Sequence, residues 1–148
     1  MAIRDLIDKI IHKHTATGID IFTTATPIEI LKFEDKIGFP LPADFIDFYT
    51  CCNGFACNED LFNMTPLNEI TLHPDNYGRN WFYFAEYLIY SDMWGLRMTG
   101  DNRYEIFNGS SPRLILTSSL FTFLERFLTG NVFDPGGLYD WQSVLESN

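Results

Sequence analysis

Apolar residues recur at helical spacing between Thr26 and Phe55, and this spacing predicts two short amphipathic helices. The first helix begins with a threonine cap at Thr26, a proline at the first helical position, and Glu29 three residues after the cap. This arrangement satisfies backbone N–H groups that a helix start leaves free. The apolar stripe of the first helix consists of Ile30, Phe33 and Ile37. Gly38 is expected to end it.

The second helix is predicted to begin at Pro42, with Asp44 in its first turn, where the helix dipole favours negative charge. Its buried stripe is expected to contain Phe45, Phe48, Tyr49 and Cys52. Asn53 and Gly54 then close it. No residue of this segment belongs to a catalytic pattern, so we interpret both helices as scaffold.

Three further helices are predicted outside this segment. Helical spacing of apolar residues indicates one over 2–13 and a longer one that begins at Ser118 or Ser119 and ends at Gly130. A short helix is expected over 139–145.

The strand predictions concentrate in the middle of the chain. The aromatic run 80–90 and the β-prone pieces 94–98 and 104–107 predict antiparallel strands, the last two joined by a turn. Residues 59–71 indicate short strands or a strand and a turn. Residues 113–116 are either one more strand or a lead-in to the following helix, and residues 15–26 are expected to be irregular.

Along this chain of 148 residues, helices come first, then strands and then a helix. This order predicts a single α+β domain over residues 1–148. The core should be rich in aromatic side chains, because Phe, Tyr and Trp make up 16% of the sequence. The interpretation of Trp94 stays open between a core residue, which we favour, and an interface anchor. No apolar run has the length of a membrane helix, and residues 1–13 lack a targeting pattern, so we expect a cytoplasmic protein without membrane contact.

Acidic residues dominate the charge of the chain, with a formal net charge of −10. No Lys or Arg lies between Lys36 and Arg79, whereas six Asp or Glu residues do. This distribution argues against nucleic-acid binding, which needs clustered cations, and favours a basic protein partner. The alternative is that the acidic residues only keep the protein soluble.

Candidate chemical groups are few. Cys51, Cys52 and Cys57 are an odd number of neighbouring thiols, which cannot form a disulfide framework, and a zinc site would have only His73 as a nearby histidine. We therefore predict no metal, no cofactor and no catalytic residue, and interpret the thiols as ordinary core and loop side chains. An unrecognised hydrolase would require a deep pocket with converging carboxylates or thiols.

The segment that contains both predicted helices resembles the SUKH superfamily, which includes yeast cell-wall glucan synthesis regulators and many bacterial toxin-immunity proteins. The matching residues are Ile30, Phe33, Glu34, Gly38, Leu41, Pro42, Asp44, Phe45, Phe48, Tyr49, Asn53 and Gly54. The resemblance extends more loosely over about residues 26–130. It implies an α+β domain with a strongly bent antiparallel sheet beside several helices, and a role in binding rather than catalysis. Its motif residues, among them Gly38, Leu41, Pro42, Phe48, Asn53 and Gly54, are scaffold residues.

Two functional hypotheses follow from the resemblance and the charge. The first is a non-enzymatic immunity protein whose acidic loops bind and neutralise a basic toxin domain of nuclease or deaminase type. The predicted contact residues are Glu59, Asp60, Asp75, Asp92 and Asp101. The alternative is a regulatory or scaffold protein of the glucan synthesis regulator type without a toxin partner. The sequence fixes neither the partner nor the oligomeric state.

Overall fold

Six α-helices form in a computed structural model that describes residues 1–148. Their bounds are α1 Ile3–His14, α2 Pro27–Ile37, α3 Ala43–Cys51, α4 Leu67–Ile70, α5 Leu120–Gly130 and α6 Leu138–Glu146. Two single 3₁₀ turns lie at Glu59–Leu61 and Pro74–Asn76. None of the helices combines the length and the apolar composition needed to cross a bilayer.

One antiparallel sheet of six strands follows the order of the chain, so each strand pairs with the next. The strands are β1 Ile19–Ile21, β2 Phe55–Cys57, β3 Phe62–Met64, β4 Trp81–Tyr87, β5 Asp92–Gly100 and β6 Arg103–Asn108. The register shifts between Tyr83 and Ala85 in β4 and between Met98 and Gly100 in β5. Such irregularities bend and twist a strand locally. The predicted α+β class is confirmed.

Most predicted helices form within one or two residues of their expected bounds, and the predicted strands 94–98 and 104–107 lie inside β5 and β6. The expectation for 15–26 is wrong, because β1 lies there and pairs with β2 through Ile19 and Cys57. Residues 113–116 form no strand. They lead into α5 instead, and Leu116 donates its N–H to the Ile106 carbonyl of β6 at 2.9 Å.

α5 ends at Gly130, as predicted, although the left-handed residue at its end is not this glycine. Gly130 is the last helical residue, and Asn131 takes the left-handed φ of +52°. Glycine is needed at 130 for another reason, because a Cβ there would lie 2.3 Å from the Gly137 nitrogen. Close packing of the α5–α6 connection, rather than a helix stop, therefore explains this glycine.

Aromatic side chains fill the core between the sheet and helices α3 and α5. Phe127 of α5 stacks on Phe62 of β3 with ring centroids 4.2 Å apart, and Phe123 packs edge-on against Phe84 of β4. Trp94 is fully buried beside Phe62, which confirms its interpretation as a core residue. α1 packs against α3 and α5.

Candidate functional site

Glu59 and Asp60 lie together in the first 3₁₀ turn, before β3. The Glu59 Oε2 atom is 3.7 Å from Nδ1 of His14, a buried histidine that stacks on Phe127. Burial lowers the pKa of His14, and the nearby negative charge of Glu59 only partly opposes this. Asp60 has a left-handed φ of +60°, and its carboxylate accepts a hydrogen bond from the Val132 N–H at 3.4 Å.

Asp92 does not lie in a loop, as the sequence predicted, but is the first residue of β5. Its carboxylate accepts hydrogen bonds from the Tyr139 hydroxyl and from the Asn108 side chain, the latter at 2.9 Å. The loop prediction failed because Ser91-Asp92 reads as a break, whereas Asp92 pairs with Tyr87 across the hairpin. Much of the hydrogen-bonding capacity of Asp92 is therefore used within the fold.

Asp75 and Asp101 lie in two separate turns of the structure. Asp75 is exposed in the second 3₁₀ turn, two residues after His73, whose ring centroid is 6.1 Å from that of Tyr90 in the β4–β5 turn. Asp101 is exposed in the β5–β6 turn, at the far end of β5 from Asp92. With a rise of about 3.4 Å per residue, β5 is about 27 Å long, and its length separates Asp101 from Asp92.

Two further carboxylates, Glu69 and Glu86, lie near the β4–β5 turn and were not predicted as site residues. Glu86 is buried in β4, where Oε1 accepts a hydrogen bond from the Asn63 side chain at 2.9 Å while Oε2 has no partner. Burial raises the pKa of Glu86. Burial, followed by the negative charges of Glu86 and Glu69, also raises the pKa of Tyr90.

Six carboxylates thus lie in or next to segments at the end of the sheet that carries the β4–β5 turn. We call this set the acidic end; its members are Glu59, Asp60, Glu69, Asp75, Glu86 and Asp92. None of them forms a salt bridge with Lys or Arg, and the one such bridge in the chain joins Arg97 to Glu105 at 3.1 Å. The negative charge of the acidic end is therefore not paired within the chain by a Lys or Arg salt bridge.

The thiols and the cavity on the outer face of the sheet show no comparable convergence. Burial raises the pKa of the Cys52 thiol to about 11 and that of Cys57 to about 12, so both stay protonated at neutral pH. No group of three or more His, Cys, Asp or Glu side chains is arranged to hold a metal ion. A cavity of about 270 Å³ on the outer face of the sheet is lined by Trp81, Tyr83, Arg97 and Phe107, without a carboxylate or thiol.

Comparison with known families decides the classification. The sequence model described as the SMI1 / KNR4 family (SUKH-1) matches residues 24–126, more than half of the chain. The chain belongs to the SMI1/KNR4 family (SUKH-1). This confirms the resemblance to the SUKH superfamily, whose members are generally non-enzymatic. A comparison with curated proteins finds no match.

The motif of this SUKH-1 domain builds the turn between α2 and α3. Thr26 and Glu29 cap α2 reciprocally, with N···O distances of 3.0 and 3.2 Å. Gly38 has a left-handed φ of +91° and donates its N–H to the Glu34 carbonyl. The Glu34 carboxylate accepts a hydrogen bond from the Leu41 N–H at 2.6 Å, which fixes the approach to Pro42 and α3.

Asn53 and Gly54 of the SUKH-1 motif connect α3 to the sheet and to α4. The Asn53 side chain accepts a hydrogen bond from the Leu67 N–H at 2.9 Å, at the first residue of α4. Gly54 has a φ of +91°, and a Cβ there would lie 2.2 Å from the Met64 carbonyl oxygen. Phe48 is fully buried in the core. These contacts stabilise the fold, and no residue of the motif belongs to the acidic end.

Proposed function

We propose that this SUKH-1 domain is an immunity protein that binds and neutralises a basic toxin domain of nuclease or deaminase type. The observation that carries the proposal is the acidic end, where six carboxylates gather without an internal Lys or Arg. Like charges held near one another disfavour the compact state, and a basic partner would relieve this repulsion. Family membership supports a binding role.

The proposed mechanism is competition for basic groups. A nuclease or deaminase holds its nucleic acid through Lys and Arg side chains that contact phosphates. Exposed carboxylates such as those of Glu69 and Asp75 would pair with the same groups and block the path of the substrate. Complementary charge also accelerates association and penalises wrong partners.

Asp101 is not part of this proposed contact surface, although the sequence predicted it as a contact residue. It is exposed, as Asp75 is, but lies at the opposite end of β5. Asp101→Asn is therefore a matched control, because it removes one exposed carboxylate and leaves the acidic end intact.

The experiment is co-expression with the product of a toxin gene encoded beside this chain. Cells that express wild type or Asp101→Asn should survive, whereas the triple variant Glu59→Gln, Glu69→Gln, Asp75→Asn should protect poorly. Each exposed pair contributes about 0.2–1 kcal/mol, so the triple variant should bind about threefold to a hundredfold more weakly. Survival with wild type no better than with an empty vector would contradict the proposal and favour the regulatory or scaffold role.

A further inference from the structure

The acidic end surrounds a patch of exposed apolar side chains. We call it the tip patch; its members are Leu61, Leu88, Ile89, Tyr90 and Phe133. We propose that the tip patch docks an apolar or aromatic side chain that Lys or Arg flanks on the surface of a basic protein partner. This inference rests on the proposed function, because it names the part of the acidic end that receives the partner's apolar contact.

The turn that carries the patch has a strained backbone. Leu88, Ile89 and Tyr90 are consecutive, none is glycine, and their φ angles are +50°, +48° and +64°. Left-handed φ is disfavoured for L-residues and most of all for a β-branched side chain such as Ile89. Hairpin turns of this kind ordinarily use Gly, Asn or Asp. Strained backbone persists mainly where function requires it, and here it presents apolar side chains to solvent.

The exposure of these side chains is unusual for their type. Ile89 is 74% exposed, Phe133 54%, and Leu61 43%. They are neighbours in space, since the Leu88 N–H donates to the Leu61 carbonyl at 3.1 Å and the ring of Tyr87 lies 5.1 Å from that of Phe133. A contiguous exposed apolar patch with a polar rim is typical of a protein interaction site.

The negative charge of the residues around the tip patch indicates the kind of partner. Glu59 and Asp60 precede Leu61, Asp134 follows Phe133, and Glu86 and Asp92 flank the β4–β5 turn in sequence. A second copy of this chain would bring an equally acidic rim and its own net charge of −10 against it. A basic protein surface supplies the complementary charge.

The test uses a phage-displayed library of random twelve-residue peptides, selected on the wild-type protein at physiological salt. Selected peptides should combine Arg or Lys with an aromatic or apolar residue. Their affinity should fall at least tenfold on Ile89→Asp and stay within twofold on Ile115→Asp. Ile115 is a matched control, because it is an exposed loop isoleucine outside the patch and its variant adds the same charge. Asp tolerates left-handed φ, so the fold should persist at position 89.

Three results would overturn the inference: no selected binders, binders that lack basic residues, or equal affinity for wild type and Ile89→Asp. Its failure is distinguishable from that of the proposed function. If Ile89→Asp still neutralises the neighbouring toxin in co-expressing cells, the proposed function stands and the tip patch is not the anchor. If wild type itself gives no protection, the proposed function fails whatever the peptides show.

Discussion

At the scale of single residues, Tyr104 connects three elements through one hydroxyl group. It donates a hydrogen bond to the Asp44 carboxylate at the start of α3 and accepts one from the Leu120 N–H of α5 at 2.6 Å. The sequence predicted a place for Asp44 at a helix start but not this contact. Asp44 and Tyr104 are 60 positions apart, and no periodic pattern records such a pairing.

Tyr104→Phe should therefore lower the free energy of unfolding by about 1–3 kcal/mol, because it removes two hydrogen bonds, one of them to a charged carboxylate. The Leu120 N–H keeps the Asp44 carboxylate as an acceptor at 3.3 Å. Urea denaturation measures the change. Tyr83→Phe is the matched control, since the Tyr83 hydroxyl makes no hydrogen bond within the chain. Equal stability of the two variants would show that the Tyr104 contact adds nothing.

Glu86 gives a prediction that depends on pH. Its pKa is raised in the folded protein by burial, so the folded state binds the proton more tightly than the unfolded chain. The contribution of the Glu86 carboxyl to the free energy of unfolding of the wild-type protein therefore falls as the pH rises from about 4.5 through the pKa of the folded state. Glu86→Gln should raise the free energy of unfolding by about 1 kcal/mol at pH 7. The gain should shrink as the pH approaches about 4.5.

Urea denaturation across this pH range checks the Glu86 prediction. Exposed Glu125→Gln on α5 serves as the control and should change stability by less than about 0.5 kcal/mol. The burial argument would be contradicted if the gain in free energy of unfolding from Glu86→Gln were smaller at pH 7 than at pH 4.5.

At the scale of elements, local signals explain which predictions held. α2 was predictable because its cap, proline, apolar stripe and final glycine are all adjacent in sequence. β1 was not, because a strand of three residues has little intrinsic signal and is defined by pairing with β2. The aromatic run 80–90 predicted a longer strand than forms. β4 ends at Tyr87, where the left-handed turn begins.

Ile89→Asn tests the strain in that turn. Asn adopts left-handed φ more readily than a β-branched residue, so the variant should gain about 0.5–1 kcal/mol of stability in thermal or urea unfolding. Ile115→Asn, in an exposed loop without positive φ, should gain nothing. If both variants change stability equally, the backbone of the β4–β5 turn is not strained.

At the scale of the whole molecule, the acidic end joins residues from 59 to 92 that only folding brings together. The absence of Lys and Arg between Lys36 and Arg79 indicated an acidic surface, but not its position. The buried Glu86 was missed because it lies within an aromatic run, and the sequence does not show that the length of β5 separates Asp101 from Asp92. The apolar tip patch had no sequence signal, since its exposure follows from backbone conformation.

The salt dependence of partner binding tests the electrostatic account most directly. The affinity for the proposed basic toxin domain should fall at least tenfold between about 0.05 M and about 0.5 M salt, because ions screen the acidic end. The triple variant Glu59→Gln, Glu69→Gln, Asp75→Asn should show a shallower salt dependence than wild type, and Asp101→Asn the same dependence as wild type. An affinity that does not change with salt would contradict the account and leave the acidic residues a role in solubility alone.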